Sequence, residues 1–138
     1  MQYFCPNCFA KVEAETETCA ACGITIPGWE AGLSYEDRLI HALGHPIDET
    51  RMGAIIALGD LGHEAAAKPL VDLAFAWPKD VWQSVEILRS LHKLPIGDGV
   101  ARELARLRED HPAAPVRAIA DHVYAEMFTH GRRHRQEP

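Results

Sequence analysis

From Ser34 onward, apolar side chains return every three or four residues, the spacing that gathers them on one face of a helix. Ser34 and Asp37 make a capping-box-like start for a helix carrying Leu39, Ile40, Ala42 and Leu43, which Gly44 and Pro46 end. Asp48 caps a second helix that runs to about Leu61. Its middle, Ala54-Ile55-Ile56-Ala57-Leu58, is apolar all round, which predicts a helix enclosed by others. His63 to Ala76 reads as a third helix with Pro69 near its first turns. Asp80 caps a fourth, with Val81, Val85, Leu88 and Leu91 at spacings of four, three and three. Asp98 starts a fifth with Val100, Leu104 and Leu107, and Pro115 sits near the start of the last, which carries Ile119, Val123 and Met127. Ahead of these helices, residues 1–26 hold only short β-prone pieces, Gln2–Phe4, Ala10–Glu13 and Ile24–Ile26. They read as the strands of a small ribbon. Pro27, Gly28 and Gly32 then mark a linker around Trp29.

The helices share a recurring punctuation. His45-Pro46-Ile47-Asp48, Trp77-Pro78-Lys79-Asp80 and His111-Pro112-Ala113-Ala114 place prolines 32 and then 34 residues apart. A period of that size predicts stacked helical hairpins, none able to bury its apolar face alone. The predicted fold is mainly α: a short α-solenoid of three hairpins over residues 34–129, preceded by a small β ribbon over residues 1–28. Residues 130–138, Arg-rich and without periodicity, read as a disordered tail.

The stretch Arg51-Met-Gly-Ala-Ile-Ile-Ala-Leu-Gly-Asp-Leu-Gly62, continuing to Pro69-Leu-Val-Asp-Leu73, resembles HEAT repeats, especially the short kind found in phycobilisome lyase-like proteins. The pattern has an Arg in the inner helix, an Ala-Leu-Gly-x-Leu-Gly end and a following Pro-Leu-x-x-Leu. Residues 48–76 match best. Arg117 falls where Arg51 does, whereas Val81 or Trp82 stands at that place in the middle unit. The resemblance implies architecture over residues 34–128. Family members are scaffolds, chaperone-like factors and occasional enzymes, so it does not fix an activity.

All four cysteines lie in the first 22 residues as two pairs of equal spacing, Cys5-Pro6-Asn7-Cys8 and Cys19-Ala20-Ala21-Cys22. Two tight knuckles of this kind complete a four-sulfur shell, so the segment resembles a zinc ribbon with one structural Zn²⁺. A rubredoxin-like iron site has compatible ligands, but rubredoxins use a much longer connection between knuckles. A closed shell leaves no open position for substrate. The metal replaces the apolar core that so short a segment cannot build. Gly23 follows the second pair as the turn prefers; Phe9 takes the equivalent place in the first and is expected to pack near Trp29.

The chain has 138 residues, 47% of them hydrophobic, enough for one compact domain and a small appendage. No apolar run approaches the roughly 20 residues of a membrane span, and no secretory pattern opens the chain, which leaves the cytosol as the expected compartment. The formal net charge of -6 and a ribbon whose only base is Lys11, beside Glu13, Glu15, Glu17 and Glu30, argue against phosphate-backbone binding. His41 and His45 stand four apart, but no His-Glu-x-x-His pattern accompanies them, so they are expected on the surface or as caps. His63-Glu64 is a single pair where a di-iron site on such repeats needs several. No Gly-x-Ser-x-Gly elbow or phosphate-cradling loop is present. The reading is therefore not an enzyme but a protein–protein interaction adaptor or scaffold. Arg51, Trp82, Arg89 and Arg117 are the candidate partner-binding residues, because Trp and Arg are favoured interface anchors. The competing structural reading has Arg51 and Arg117 bridging neighbouring units through Asp48 and Asp80, with Trp82 completing the core. A nucleic-acid-associated zinc-ribbon protein and a lyase- or chaperone-like factor are the alternatives.

Overall fold

Helices dominate residues 2–129, the part of the chain that the structure, a computed structural model, describes. The tail expected to be disordered, 130–138, lies outside the described residues. Two short strands come first, β1 (Tyr3–Phe4) and β2 (Lys11–Val12), paired antiparallel with Tyr3 opposite Val12 and Phe4 opposite Lys11. The third expected strand is absent as such: Thr25 makes a single bridge to Thr18, and Ile26 already begins a helix.

That helix, α1 (Ile26–Ala31), stands where a linker was expected. Pro27 lies in its first turn, where the missing amide costs nothing and the fixed φ suits the helix. Ser34 caps α2 (Tyr35–Ala42), its hydroxyl accepting from the Asp37 amide at 3.1 Å. In α3 (Asp48–Leu61), Asp48 is the first helical residue rather than the cap, and Gly62, in the left-handed region, stops the helix. The helix expected from His63 divides into a 3₁₀ turn, Glu64–Ala66, and α4 (Ala67–Ala76). Asp80 caps α5 (Val81–His92) through the Gln83 amide at 3.0 Å. The last two are α6 (Asp98–Asp110) and α7 (Ala114–Tyr124), the latter running on as a π-helical turn, Ala125–Thr129.

Helices adjacent in the chain pack in pairs, α2 on α3, α4 on α5 and α6 on α7, and between pairs α3 packs on α5 and α5 on α7, while α4 packs on α6. The core follows the predicted stripes, with Ile55, Leu58, Leu70, Ile87, Leu88, Leu91, Val100, Leu104 and Leu107 fully enclosed. Ile56 departs from the prediction of a helix buried all round. It is 43% exposed. Five side-chain hydrogen bonds between pairs span similar separations, Arg51 to Gln83 (32 residues), Lys93 to Asp60 (33), Arg106 to Asp72 (34), Ser90 to Ile55 and Glu64 to Gly99 (35 each), while His111 to Ala74 (37) and His63 to Glu36 (27) depart from them. The Glu64 bond caps α6, which has no side-chain cap of its own: Glu64 Oε1 accepts from the Gly99 amide at 3.1 Å.

Helices α3 and α5 approach closely at Gly59. A Cβ there would lie 2.6 Å from Ser90 Oγ and 2.8 Å from Ser90 Cα, closer than atoms can sit. Ser90 is held in place, because its hydroxyl donates to the Ile55 carbonyl at 2.7 Å. Gly59→Ala would gain helix propensity but must push two helices apart, so we expect a net loss of about 1–3 kcal/mol. Thermal melts of the variant beside wild type check it.

Candidate metal centre and its helical platform

Two loops of the same construction carry the cysteines. In the first, the Cys5 amide donates to the Ala10 carbonyl and the Phe9 amide to the Cys5 carbonyl, both at 2.9 Å. In the second, the Cys19 amide donates to the Ile24 carbonyl at 3.0 Å and the Gly23 amide to the Cys19 carbonyl at 2.8 Å. This turn drives the residue after the second cysteine to positive φ, 80° for Gly23 and 65° for Phe9. A side chain in that region costs on the order of 1–2 kcal/mol. Phe9 offsets the cost by packing, its ring centroid 5.1 Å from that of His41 and 4.9 Å from that of His45. It lies near Trp29, as expected: the two line one pocket and share His41, whose ring lies 5.1 Å from the Trp29 ring.

The facing loops bring the sulfurs of Cys5, Cys8, Cys19 and Cys22 within 4.8 Å of one another. Cys5 to Cys22 and Cys8 to Cys19 are both 3.7 Å, and all four cysteines are free thiols. A disulfide requires about 2.05 Å. A tetrahedral shell with metal–sulfur bonds of about 2.3 Å has edges of about 3.8 Å. The four sulfurs therefore fit one metal ion, with Cys5 and Cys19 buried and Cys8 and Cys22 facing outward.

Backbone amides prepare the site for negative sulfur. The Ile24 amide and then the Asn7 side chain hold Cys22 down at about 6, and the Cys22 amide lowers Cys19. Cys8 is pushed up to about 11: the Ala10 amide pulls it down, but desolvation and the three other sulfurs outweigh that pull. Four thiols this close cannot all ionise without a cation among them, and a bound metal supplies it.

The site is fastened to the helices by two histidines that sequence reasoning placed on the surface or as caps. His41, in the last turn of α2, donates from Nε2 to the Asn7 carbonyl at 2.6 Å, inside the first knuckle. His45 is buried, meets Phe4 edge-on at 5.0 Å and accepts from the Ile47 amide on Nδ1 at 3.1 Å. Asn7 and His41 are 34 residues apart, so no local pattern signals their pairing.

Burial first, and then the nearby Arg51 charge, lower the pKa of His45 below its ordinary 6.5. Arg38 of α2 and Glu30 of α1 line the same pocket, and His41 shares the Phe9 ring. Because the unfolded chain takes up the proton first, the stability from neutral His45 is complete above about pH 6.5 and is lost as pH falls through the lowered value. Acidification should thus lower the melting temperature of wild type more than that of His45→Asn, which keeps an acceptor but does not titrate. The difference between the two melts, taken across pH 7.5 to 5, cancels acid release of sulfur-bound metal and checks the sign.

Behind His45 lies Arg51, the first of the four candidate partner-binding residues. It is 3% exposed. Its Nη1 donates to the carbonyls of His45 and Pro46 at 2.9 and 3.0 Å, its Nε donates to Gln83 Oε1 at 2.8 Å, and its guanidinium lies 4.1 Å over the Trp77 ring. Arg51 is thus occupied inside the chain, and it bridges to the next unit through an amide and an indole, not through Asp48 or Asp80. Arg117 repeats part of this geometry within its own unit. It donates to the His111 carbonyl at 2.7 Å, while His111 Nδ1 accepts from the Ala113 amide at 3.0 Å as His45 does from Ile47. Counting five residues from each proline, the middle unit has Gln83 at the place of Arg51, not Val81 or Trp82.

The other two candidates are on the surface of α5. Trp82 is 77% exposed and so does not complete the core. Arg89 is exposed and pairs with Glu86 on the same helix at 2.8 Å. Half-buried Met52 of α3 lines one cleft with Trp82, and exposed Ile56 of α3 lines another with Arg89. Among the described residues, no helix is long and apolar enough to cross a membrane. The chain matches no protein-family model, no curated protein and no solved structure.

Proposed function

We propose that the chain is a protein-interaction adaptor: a structural zinc ribbon fixed to a short HEAT-like α-solenoid, which takes a partner protein on the open face of α3, α5 and α7. The observation that carries this reading is Trp82. An indole 77% exposed on a helix whose Ile87, Leu88 and Leu91 are enclosed gains nothing for folding, whereas indoles are favoured anchors of interfaces. The separations of 32 to 35 residues between five of the cross-linked partners support a stack of like units, since each residue then meets its counterpart's neighbour one unit on. Zinc is favoured over iron by the closed four-sulfur set and the short link between the knuckles. The ribbon also covers the C-terminal end of α2, so it closes that end of the stack as well as carrying metal.

Affinity capture with wild type and Trp82→Ala tests the reading. The variant should keep its melting temperature within about 0.5 kcal/mol of stability, as surface changes do, and lose the captured partner. A partner retained at wild-type yield by the variant would refute it.

A further inference from the structure

We infer that Asn7 and His41, neither of them a ligand, act in series to set how tightly the ribbon holds its metal, so that metal affinity and docking on α2 are coupled. This rests on the zinc-ribbon reading above and names the residues outside the sulfur shell that tune it. Asn7 lies in the first knuckle, yet its side chain serves the second: Nδ2 donates to Cys22 Sγ at 3.6 Å. A metal-bound thiolate has no proton to give, so the amide presents its nitrogen and not its oxygen. The sulfur it reaches is an exposed one. Cys5 and Cys19 are shielded by burial, whereas Cys22 faces outward, where water and competing ligands approach. Half-buried Asn7 bridges to it from the other knuckle and so joins the two loops. A hydrogen bond to an ionised sulfur is stronger than one to a neutral thiol, so the contact favours the metal-bound state over the protonated, metal-free one.

Such a donor acts only while its own backbone is held in place. A second hydrogen bond, independent of the sulfur, does that. His41 Nε2 donates to the Asn7 carbonyl at 2.6 Å, and because the carbonyl can only accept, the imidazole carries its proton on Nε2. The rings of Phe9 and Trp29, each centred 5.1 Å from the imidazole, set its position. The path runs from α2 through His41 and the Asn7 peptide to the Asn7 amide and Cys22. Groups that orient a metal's ligands from outside commonly change its affinity about 10–100-fold when removed. By linkage, whatever factor docking lends to metal affinity, the metal lends to docking. Asn also suits tight turns for its backbone alone, so the variants must isolate its reach across to the second knuckle.

The test uses the full chain. Zinc affinity is measured by competition against a colorimetric chelator, and the sulfur environment is read from the thiolate-to-metal charge-transfer band of the Co²⁺-loaded protein. Asn7→Ala keeps the backbone carbonyl that His41 holds and removes only the amide. Zinc affinity should fall about tenfold or more, and the band should move to longer wavelength, because a thiolate relieved of a donor gives up an electron more easily. Asn7→Asp, of the same shape but without the donor, should lose more, since it sets a carboxylate beside the sulfur. His41→Phe keeps a ring against Phe9 and Trp29 and loses the hydrogen bond; it should lower affinity severalfold and shift the band the same way. His41→Gln, which retains an amide donor, should recover most of both. The double variant, Asn7→Ala with His41→Phe, should bind no more weakly than Asn7→Ala alone, the mark of two residues on one path. Affinity and band unchanged in Asn7→Ala, a band unmoved in His41→Phe, or losses that multiply in the double variant would overturn the inference. Wild type that takes up no zinc removes the metal reading itself. Wild type and variants that all bind zinc equally well leave that reading standing and remove only the roles of Asn7 and His41.

Discussion

Stripping the metal from the four sulfurs is expected to unfold the ribbon and α1 while leaving α3 to α7 folded. Elements that size bury too little to fold alone, and for small four-ligand sites the metal-binding free energy, about 10–16 kcal/mol in peptide models, is the folding free energy. The docking contacts limit how far the damage spreads. The Asn7–His41 hydrogen bond and the ring contacts of Phe4, Phe9 and Trp29 with His41 and His45 hold the ribbon to the end of α2. Losing them should loosen α2 and reach no further, because α3 is secured from its other side by α5. Chelator titration followed by amide spectra should show resonances of residues 2–31 collapsing, those of α2 broadening and those of α3 to α7 holding. Cys19→Ser, which removes a buried ligand, should reproduce that pattern without chelator. Elemental analysis of the untreated protein gives the metal, with one zinc per chain expected. Collapse of the entire helical signal would show that the two parts are not separable.

The largest single-residue effect is expected at Arg51. Arg51→Ala would strand the Gln83 amide oxygen and two backbone carbonyls in a site closed to water, and would leave a void against Trp77. Each buried acceptor left without a donor costs about 1–3 kcal/mol, so together they are a large part of the 5–15 kcal/mol that stabilises an ordinary domain. Arg51→Lys should recover little, since a single ammonium cannot present Nε and Nη1 in two directions while lying flat on an indole. Arg89→Ala, by contrast, removes only an exposed same-helix pair and should change stability by less than about 0.5 kcal/mol. Chemical denaturation of the three variants gives the comparison directly.

The parts of this molecule that rest on local chemistry were legible in the sequence. The two cysteine pairs, the Ser34 and Asp80 caps, the Gly62 stop and the stripes ending in Leu91 and Leu107 each depend on residues within a turn or two of one another. What went unread depends on partners a whole unit away. His41 and His45 carry no mark of their role because Asn7, Phe4 and Phe9 reach them only after the chain has folded back. Trp82 stayed open between interface anchor and core, because it lies beside the apolar row of Val81, Val85 and Leu88 and only the packing of α5 leaves it exposed. Two misses had signals in plain view. Pro27 soon after a Thr is a helix-start pattern as much as a linker, and the spacing of 32 between Pro46 and Pro78 carries position 51 to Gln83.

The guanidinium shared between two units also bears on how this protein can change over generations. Arg51 is anchored in its own unit, but half of its surroundings, Trp77 and Gln83, belong to the next, at the places that His45 and Arg51 hold in their own. A middle unit with its own arginine at position 83 would set two buried cations against each other. Drift at any one of the three positions is therefore constrained by the other two. In related sequences Arg51, Trp77 and Gln83 should be inherited as a set or replaced as a set, and a unit duplicated or deleted between them would have to bring its own replacement.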